Sequence, residues 1–279
     1  MILPVFYVDD VIKSAIKEDI NYVDEATAFV IPEESVSSAR FVSKAEGVLC
    51  GIEFAARVFT LLDPEVSFNF LKKDGDTVKK GDIIATFSGK TRALLMGERT
   101  ALNIVQHLSG VATQTNSAVK LVEGTGVSIA DTRKTLPGLR AMQKYAVCCG
   151  GGKNHRFNLS DAAMLKDNHI DAGGGIIKTI GLLREHIGHT VKIEVETRNM
   201  DEVRQAVEAK ADIIMLDNMT AAEMAECVRY IDGRALTEAS GNITLENIRE
   251  KAESGVDIIS MGSLTHSVTA FDISMRIDK

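Results

Sequence analysis

The chain is expected to be an α/β protein: a β-rich α+β N-terminal domain with a barrel-sandwich-like sheet, then an incomplete or open TIM-like α/β barrel. Three observations lead there. Apolar and polar residues alternate between residues 38 and 89, with turn signals between the runs. After residue 126, six short apolar runs are interleaved with helical segments, the pattern of parallel βα units. Each of those six runs also ends in a chemistry-bearing residue, Asp131, Lys166, Glu196, Asp217, Ser240 and Ser263, and βα barrels carry their sites at the carboxyl ends of the strands.

Taken in order, residues 9–20 read as a short amphipathic helix. Segments 38–51 and 66–89 alternate as strands, and Lys73-Asp74-Gly75 and Lys80-Gly81-Asp82 signal hairpins. This stretch resembles the barrel-sandwich fold of lipoyl and biotinyl carriers through the phrase GDTVKKGD (75–82), but no lysine stands in their modification motif, so carrier function is not expected. From Thr91 to Val122 the period becomes helical, with Gly97 and Gly110 expected to break it into separate helices.

The strand-like runs that follow are 127–132, 162–168, 191–197, 212–218, 234–241 and 257–263. Three of the intervening helices read NMDEVRQAVEAK, TAAEMAECVRYI and TLENIREKAESG. The tail alternates Phe271, Ile273, Met275 and Ile277 like a strand. The expected division is therefore an N-terminal domain over 1–108, a catalytic barrel over 109–266, and a C-terminal strand within 267–279 that returns to the N-terminal domain.

Composition excludes disordered and fibrous classes: of 279 residues, 45% are hydrophobic and 25% charged, with no Trp and four Pro. The first residues lack a basic region ahead of an apolar core and meet Asp9 and Asp10 early, so no signal peptide is expected. No apolar stretch approaches the roughly 20 residues a bilayer requires, so no membrane partner is expected either, and the expected location is cytoplasmic. Cys50, Cys148, Cys149 and Cys227 show no CxxC and no Cys-His ligand spacing. They are expected to be reduced thiols, with Cys148 and Cys149 as packing residues and no structural zinc.

Charge is distributed unevenly. The chain carries a net charge of −7, yet residues 131–169 hold seven Lys and Arg against three Asp. A basic island in an acidic protein points to a focused site for small anions. It does not suit nucleic acid, because interleaved aromatic residues for base stacking are missing. Arg133-Lys134 and His155-Arg156 are adjacent cationic pairs, and Gly150, Gly151 and Gly152 allow backbone to approach a ligand closely.

The phrases GERTALN (97–103), DTRKTLPGLR (131–140), GGGKNHR (150–156), LKDNH (165–169), EVET (194–197), MLDN (215–218), EASGNI (238–243) and GVDIISMGSLTHS (255–267) run in order through most of the chain. Together they resemble the quinolinate phosphoribosyltransferases. The resemblance implies transfer of the ribose 5-phosphate unit of phosphoribosyl pyrophosphate to the ring nitrogen of quinolinate. Nicotinate mononucleotide, pyrophosphate and carbon dioxide would be the products, in the making of NAD. The family pattern puts Arg133, His155 and Arg156 on the carboxylates of quinolinate, and Lys134 and Lys166 on carboxylate, pyrophosphate or both. It sends Arg99 into a neighbouring subunit's site, so a homodimer is the expected minimum unit; without the resemblance, Arg99 reads as a surface charge paired with Glu98 or Asp63.

Lys134, Lys166, Glu196 and Asp217 are then the expected catalytic groups, the acids facing positive charge at the anomeric carbon and the lysines neutralising the leaving group. The carboxylates of Glu196 and Asp217 also suit Mg2+ entering with the pyrophosphate; a proton-sharing dyad or a salt bridge to Lys166 is the alternative. The ribose phosphate is expected on Ser240, Gly241, Asn242, Gly262 and Ser263, with His266 reaching the pyrophosphate. His107 and His186 are expected to be structural. Two rival activities remain: a Schiff-base aldolase built on Lys166, for which Asp167 and the nearby cations are poor surroundings, and a related phosphoribosyltransferase with a different acceptor.

Overall fold

The structure, a computed structural model, describes residues 3–278. In chain order the first elements are α1 (Val5–Ile20), α2 (Glu25–Val30), β1 (Val36–Ser43), β2 (Gly47–Val48), α3 (Ile52–Leu62), β3 (Ser67–Phe70), β4 (Thr77–Val78), β5 (Ile83–Lys90) and α4 (Thr91–Leu121). Next come β6 (Ser128–Ala130), α5 (Arg140–Cys149), β7 (Ala163–Leu165), α6 (Asp167–Gly173), α7 (Ile176–His186), β8 (Ile193–Thr197), α8 (Met200–Glu208), β9 (Ile213–Asp217) and α9 (Ala221–Ile231). The last are β10 (Leu236–Ser240), α10 (Ile248–Ala252), β11 (Ile258–Ser260), α11 (Ser263–His266) and β12 (Ile273–Ile277).

Two compact units are distinguished. One holds the chain through Asn116, residues 135–151 and everything from Leu264 onward; the other holds 117–134 and 152–263. The first is built on an antiparallel sheet in the order β12-β1-β5-β3. The C-terminal strand therefore pairs with β1, with Phe41 opposite Met275. Phe41, Phe59, Phe68 and Phe87 form its aromatic core, with centroids 4.9 Å apart for Phe41–Phe87 and Phe68–Phe87 and 5.2 Å for Phe59–Phe87.

Residues 135–151 belong here because α5 is bonded into this unit. Tyr145 Oη donates to Asp74 Oδ2 at 2.8 Å, and Gln143 Nε2 donates to the Thr265 carbonyl at 2.7 Å and lies 2.9 Å from His107 Nε2.

Two local expectations are corrected. Helix α4 runs unbroken through Gly97 and Gly110. A Cβ at Gly97 would lie 2.8 Å from the Phe59 ring, and one at Gly110 would clash with the Thr269 carbonyl and lie 2.8 Å from Val268 Cγ1. These glycines serve close packing and leave the helix intact. The turns at 73–76 and 79–82 do form, with Asp76 N donating to Lys73 O and Asp82 N to Lys79 O, but neither closes a hairpin. Strand β3 pairs with β5, while β4, between the turns, pairs with β2.

The second unit is a six-stranded sheet in the order β6-β11-β10-β9-β8-β7, with every pairing parallel. Among the described residues β6 and β7 do not pair, and Ala130 of β6 instead makes a parallel bridge to Lys153. The barrel is thus open at that seam. Ile193, Val195, Ile214, Leu216, Ala239 and Ile259 are fully buried on the strands, and Val203 and Ala206 of α8, Met224, Cys227 and Ile231 of α9, and Ile248 of α10 are buried on the helices.

The helix starts follow from capping residues. Asn199 Oδ1 accepts from Glu202 N at the start of α8, and Thr220 and Glu223 cap one another at the start of α9.

Candidate active site

Period-two alternation decides which strand residues face inward. On β8 the pair is Glu194 and Glu196, on β9 Met215 and Asp217, and on β10 Glu238 and Ser240, with Glu196 opposite Met215 and Asp217 opposite Ser240 in register. The upper members, with the loops after β6, β7 and β10, line a cavity of about 590 Å3 within the second unit. That volume lies in the range of small-ligand sites. Its charged lining residues are Arg133, Lys134, Arg156 and Lys166, with Glu196 and Asp217.

The cationic wall is held from below. Asp131, fully buried at the end of β6, accepts His155 N on Oδ1 at 2.8 Å and Asn154 Nδ2 on Oδ2 at 2.7 Å. That ties the β6 end to the segment carrying His155 and Arg156. The Thr132 hydroxyl accepts Lys134 N at 3.0 Å, and Arg156 Nη1 donates to the Ala162 carbonyl at 2.9 Å. The buried Nε of Arg156 has no hydrogen-bond partner in the protein. Burial first, and the like charge of Arg133 second, hold the Arg156 guanidinium below its usual range, with Glu194 acting the other way. A buried guanidinium with a second cation beside it marks a spot that favours an anion.

Lys166 is the residue before α6, and its Nζ lies 2.9 Å from Glu196 Oε2. Of the readings open for Glu196, the lysine pairing is thus present in the structure. Asp217 accepts Asn218 Nδ2 at 2.6 Å, and Asn218 Oδ1 accepts Asn242 Nδ2 at 2.9 Å. Gly241, between these side chains, has φ +86°, and a Cβ there would meet Asn218 and lie 2.9 Å from Asp217 Oδ1, so only glycine fits. Burial, and then the charge of Glu196, push the Asp217 carboxyl up. Two hard carboxylates at the ends of adjacent strands, one raising the other, suit a divalent cation such as Mg2+.

His155 also meets two buried acids, Glu194 and Glu238, to which the sequence reading assigns no role. His155 Nε2 stands 3.0 Å from Glu194 Oε2 and 3.6 Å from Glu238 Oε1, and both acids are 1% exposed. His155 Nδ1 accepts the backbone N–H of Arg156 at 2.8 Å. A backbone N–H can only donate, so the ring hydrogen sits on Nε2 and points at the acids. His155 lines the cavity, its Nδ1 holding the Arg156 backbone and its Nε2 facing Glu194. Burial first, and Glu194 second, push Glu238 from 4.5 to about 7.

Of the residues singled out from the sequence, Arg133, Lys134, His155, Arg156, Lys166, Glu196, Asp217, Ser240, Gly241 and Asn242 converge on this cavity. Gly262 and Ser263 are not among its lining residues. Arg99 and His266 are exposed residues of the first unit, on α4 and α11, and His266 Nδ1 lies 2.7 Å from Ser267 Oγ. The lining also includes Thr132, Met164, Met215, Asn218 and Ser260, each inside or beside a quoted phrase. Glu194 and Glu238 were accessible through alternation, two residues before Glu196 and Ser240.

Comparison with known proteins gives a consistent set of relatives. Residues 111–276 match the model of the quinolinate phosphoribosyl transferase C-terminal domain and residues 24–109 that of the N-terminal domain. A probable nicotinate-nucleotide pyrophosphorylase [carboxylating] of Bacillus subtilis (strain 168) is 45% identical over 93% of this chain and 90% of its own. The chloroplastic nicotinate-nucleotide pyrophosphorylase [carboxylating] of Arabidopsis thaliana is 38% identical over 99% of this chain and 84% of its own. The crystal structure of NadC from Streptococcus pyogenes superposes with a TM-score of 0.97 at 41% identity, covering 100% of this chain and 99% of that one.

Proposed function

This chain belongs to the quinolinate phosphoribosyltransferase family, and from that premise we propose how its cavity carries out the transfer from phosphoribosyl pyrophosphate to quinolinate. The enzyme is a phosphoribosyltransferase of pyridine nucleotide biosynthesis. The observation that carries the residue assignments is one cavity lined by Arg133, Lys134, Arg156 and Lys166 together with Glu196 and Asp217.

Arg133 and Arg156 take the two carboxylates of quinolinate, since planar forks bind carboxylate in a fixed orientation. Holding both carboxylates aims the ring nitrogen at the anomeric carbon of the ribose. Lys134 and Lys166 face the pyrophosphate, and as its bond to that carbon breaks they neutralise the charge on the departing oxygens. Glu196 and Asp217 face the positive charge that grows on the sugar. They would also hold Mg2+, which supplies further neutralisation of the pyrophosphate when bound. Ser240, Gly241 and Asn242 present hydroxyl, backbone amide and carboxamide groups to the ribose phosphate.

Once alkylated, the ring nitrogen is cationic and stabilises the electron pair left on the adjacent ring carbon, as an ylide, when its carboxylate departs as carbon dioxide. Protonation of that carbon completes nicotinate mononucleotide. The Lys166 amine, clasped by Glu196 at 2.9 Å, has the setting of an anion-binding cation and lacks the apolar surroundings of a Schiff-base lysine.

A homodimer, with Arg99 completing a partner's cavity, and a cytoplasmic location are part of this proposal. Among the described residues, no helix is long and apolar enough to cross a membrane. The deciding assay is release of labelled carbon dioxide from quinolinate by the purified chain. Release that requires both phosphoribosyl pyrophosphate and Mg2+ is expected; release without either, or none with both, rejects the scheme.

A further inference from the structure

Away from the cavity, the first unit brings together three donor side chains from segments far apart in sequence. Cys50 follows β2, Asp74 lies in the turn between β3 and β4, and Cys149 is the last residue of α5. One donor atom from each, the two sulfurs and a carboxylate oxygen, all lie within 4.8 Å of one another. We propose that Cys50, Asp74 and Cys149 form a binding site for a thiophilic divalent cation, with zinc the natural occupant.

The geometry is close to what such an ion requires. Bond lengths of about 2.3 Å to sulfur and about 2.0 Å to oxygen place tetrahedral donors roughly 3.5–3.8 Å apart, so the three donors need to close by about an ångström at most. Two sulfurs and one carboxylate leave the fourth position for water. The hard-oxygen cations Mg2+ and Ca2+ are poorly served by such a set, and zinc is well served.

The surroundings are built in the manner of a metal site. Asp74 is oriented by three donors: Gly51 N at 2.9 Å and Ile52 N at 3.1 Å on Oδ1, and Tyr145 Oη at 2.8 Å on Oδ2. A carboxylate offers about four lone-pair positions, so one remains on Oδ2 for a cation. Outer donors that fix a ligand's orientation are a regular feature of metal centres. Cys50 is anchored by its backbone, whose N–H donates to Ser109 Oγ at 2.9 Å and whose carbonyl accepts from that hydroxyl at 3.1 Å. Gly75 N donates to the Leu49 carbonyl at 2.9 Å, joining the turn of Asp74 to the strand of Cys50. Cys50 is fully buried and Cys149 half-buried, which leaves an approach from the Cys149 side.

Packing alone does not account for the arrangement. With no cation present, the Asp74 carboxylate stands beside two thiols whose ionisation its like charge can only oppose. A dication reverses that: the two thiols lose their protons to solvent, two S–metal bonds form, and the carboxylate becomes a third ligand. An occupied site would clasp β2, the 73–76 turn and the end of α5 together.

Cobalt(II) added to the reduced full-length protein is the test, because thiolate-to-cobalt charge transfer absorbs in the near ultraviolet and carboxylate ligation does not. The expected result is a band saturating at one cobalt per chain, abolished by zinc and indifferent to excess Mg2+. Cys149→Ser, at a half-exposed helix end, should weaken cobalt binding by about tenfold or more and reduce the band; Asp74→Asn should weaken binding while keeping it. Absence of the band in the wild-type protein, or its persistence unchanged in Cys149→Ser, overturns the proposal. So does a loss of two titratable thiols that persists after the cobalt is removed by a chelator and the protein is unfolded, which would mean dissolved oxygen has taken the pair to a disulfide instead of the pair binding metal.

Discussion

Replacing Glu238 by Gln should remove a pH-dependent weakness from the interior of the barrel. The Glu238 side chain is 1% exposed, shares His155 with Glu194, and is pushed from 4.5 to about 7, by burial first and the Glu194 charge second. In the unfolded chain the same carboxyl ionises near its usual value. Between these two values the native state holds more protons than the unfolded one, so the stability contributed by this group is present at low pH and falls as pH rises through the window. The gap from 4.5 to about 7, at about 1.4 kcal/mol per pH unit, amounts to about 3 kcal/mol. Gln cannot ionise and should carry no such loss. Urea unfolding of both proteins between about pH 5 and about pH 8 measures it: the variant should gain on the wild type by about 3 kcal/mol across the range. Parallel stability curves would show that Glu238 is ionised throughout, and the assignment of a proton to the buried cluster would be withdrawn.

Other outcomes are expected elsewhere in the molecule. Arg133→Ala should lower kcat/KM for quinolinate by several orders of magnitude while leaving the fold intact by circular dichroism, and near-normal turnover would remove Arg133 from the substrate contacts. Mixing Arg99→Ala with Arg133→Ala subunits should restore part of the activity that each lacks alone if sites are shared across a dimer; no recovery in demonstrably mixed dimers would refute sharing. Gly110→Ala should destabilise by about 1–3 kcal/mol in thermal unfolding, because the new Cβ meets the Thr269 carbonyl. Gly181→Ala, in α7 with nothing within 4 Å of the added carbon, should instead stabilise by about 0.5–1 kcal/mol, and equal effects at the two positions would contradict the packing account.

The sequence by itself determined the order of the βα units and the chemical character of the site. Strands buried on both faces must be continuous apolar runs, and a cavity for two small anions must gather cations. Both requirements are met locally, by the run at 213–217 with Asp217 at its end and by adjacent pairs such as Arg133-Lys134. Tertiary structure decided what depends on a partner distant in the chain. Gly97 and Gly110 read as helix breaks until Phe59 and Thr269 are placed against them, and β4 reads as half of a hairpin until β2 is found beside it. The Glu194–His155–Glu238 group and the Cys50–Asp74–Cys149 group belong to the same class. Their members lie on separate elements, and no spacing rule along one strand or helix records a contact that exists only after those elements have packed.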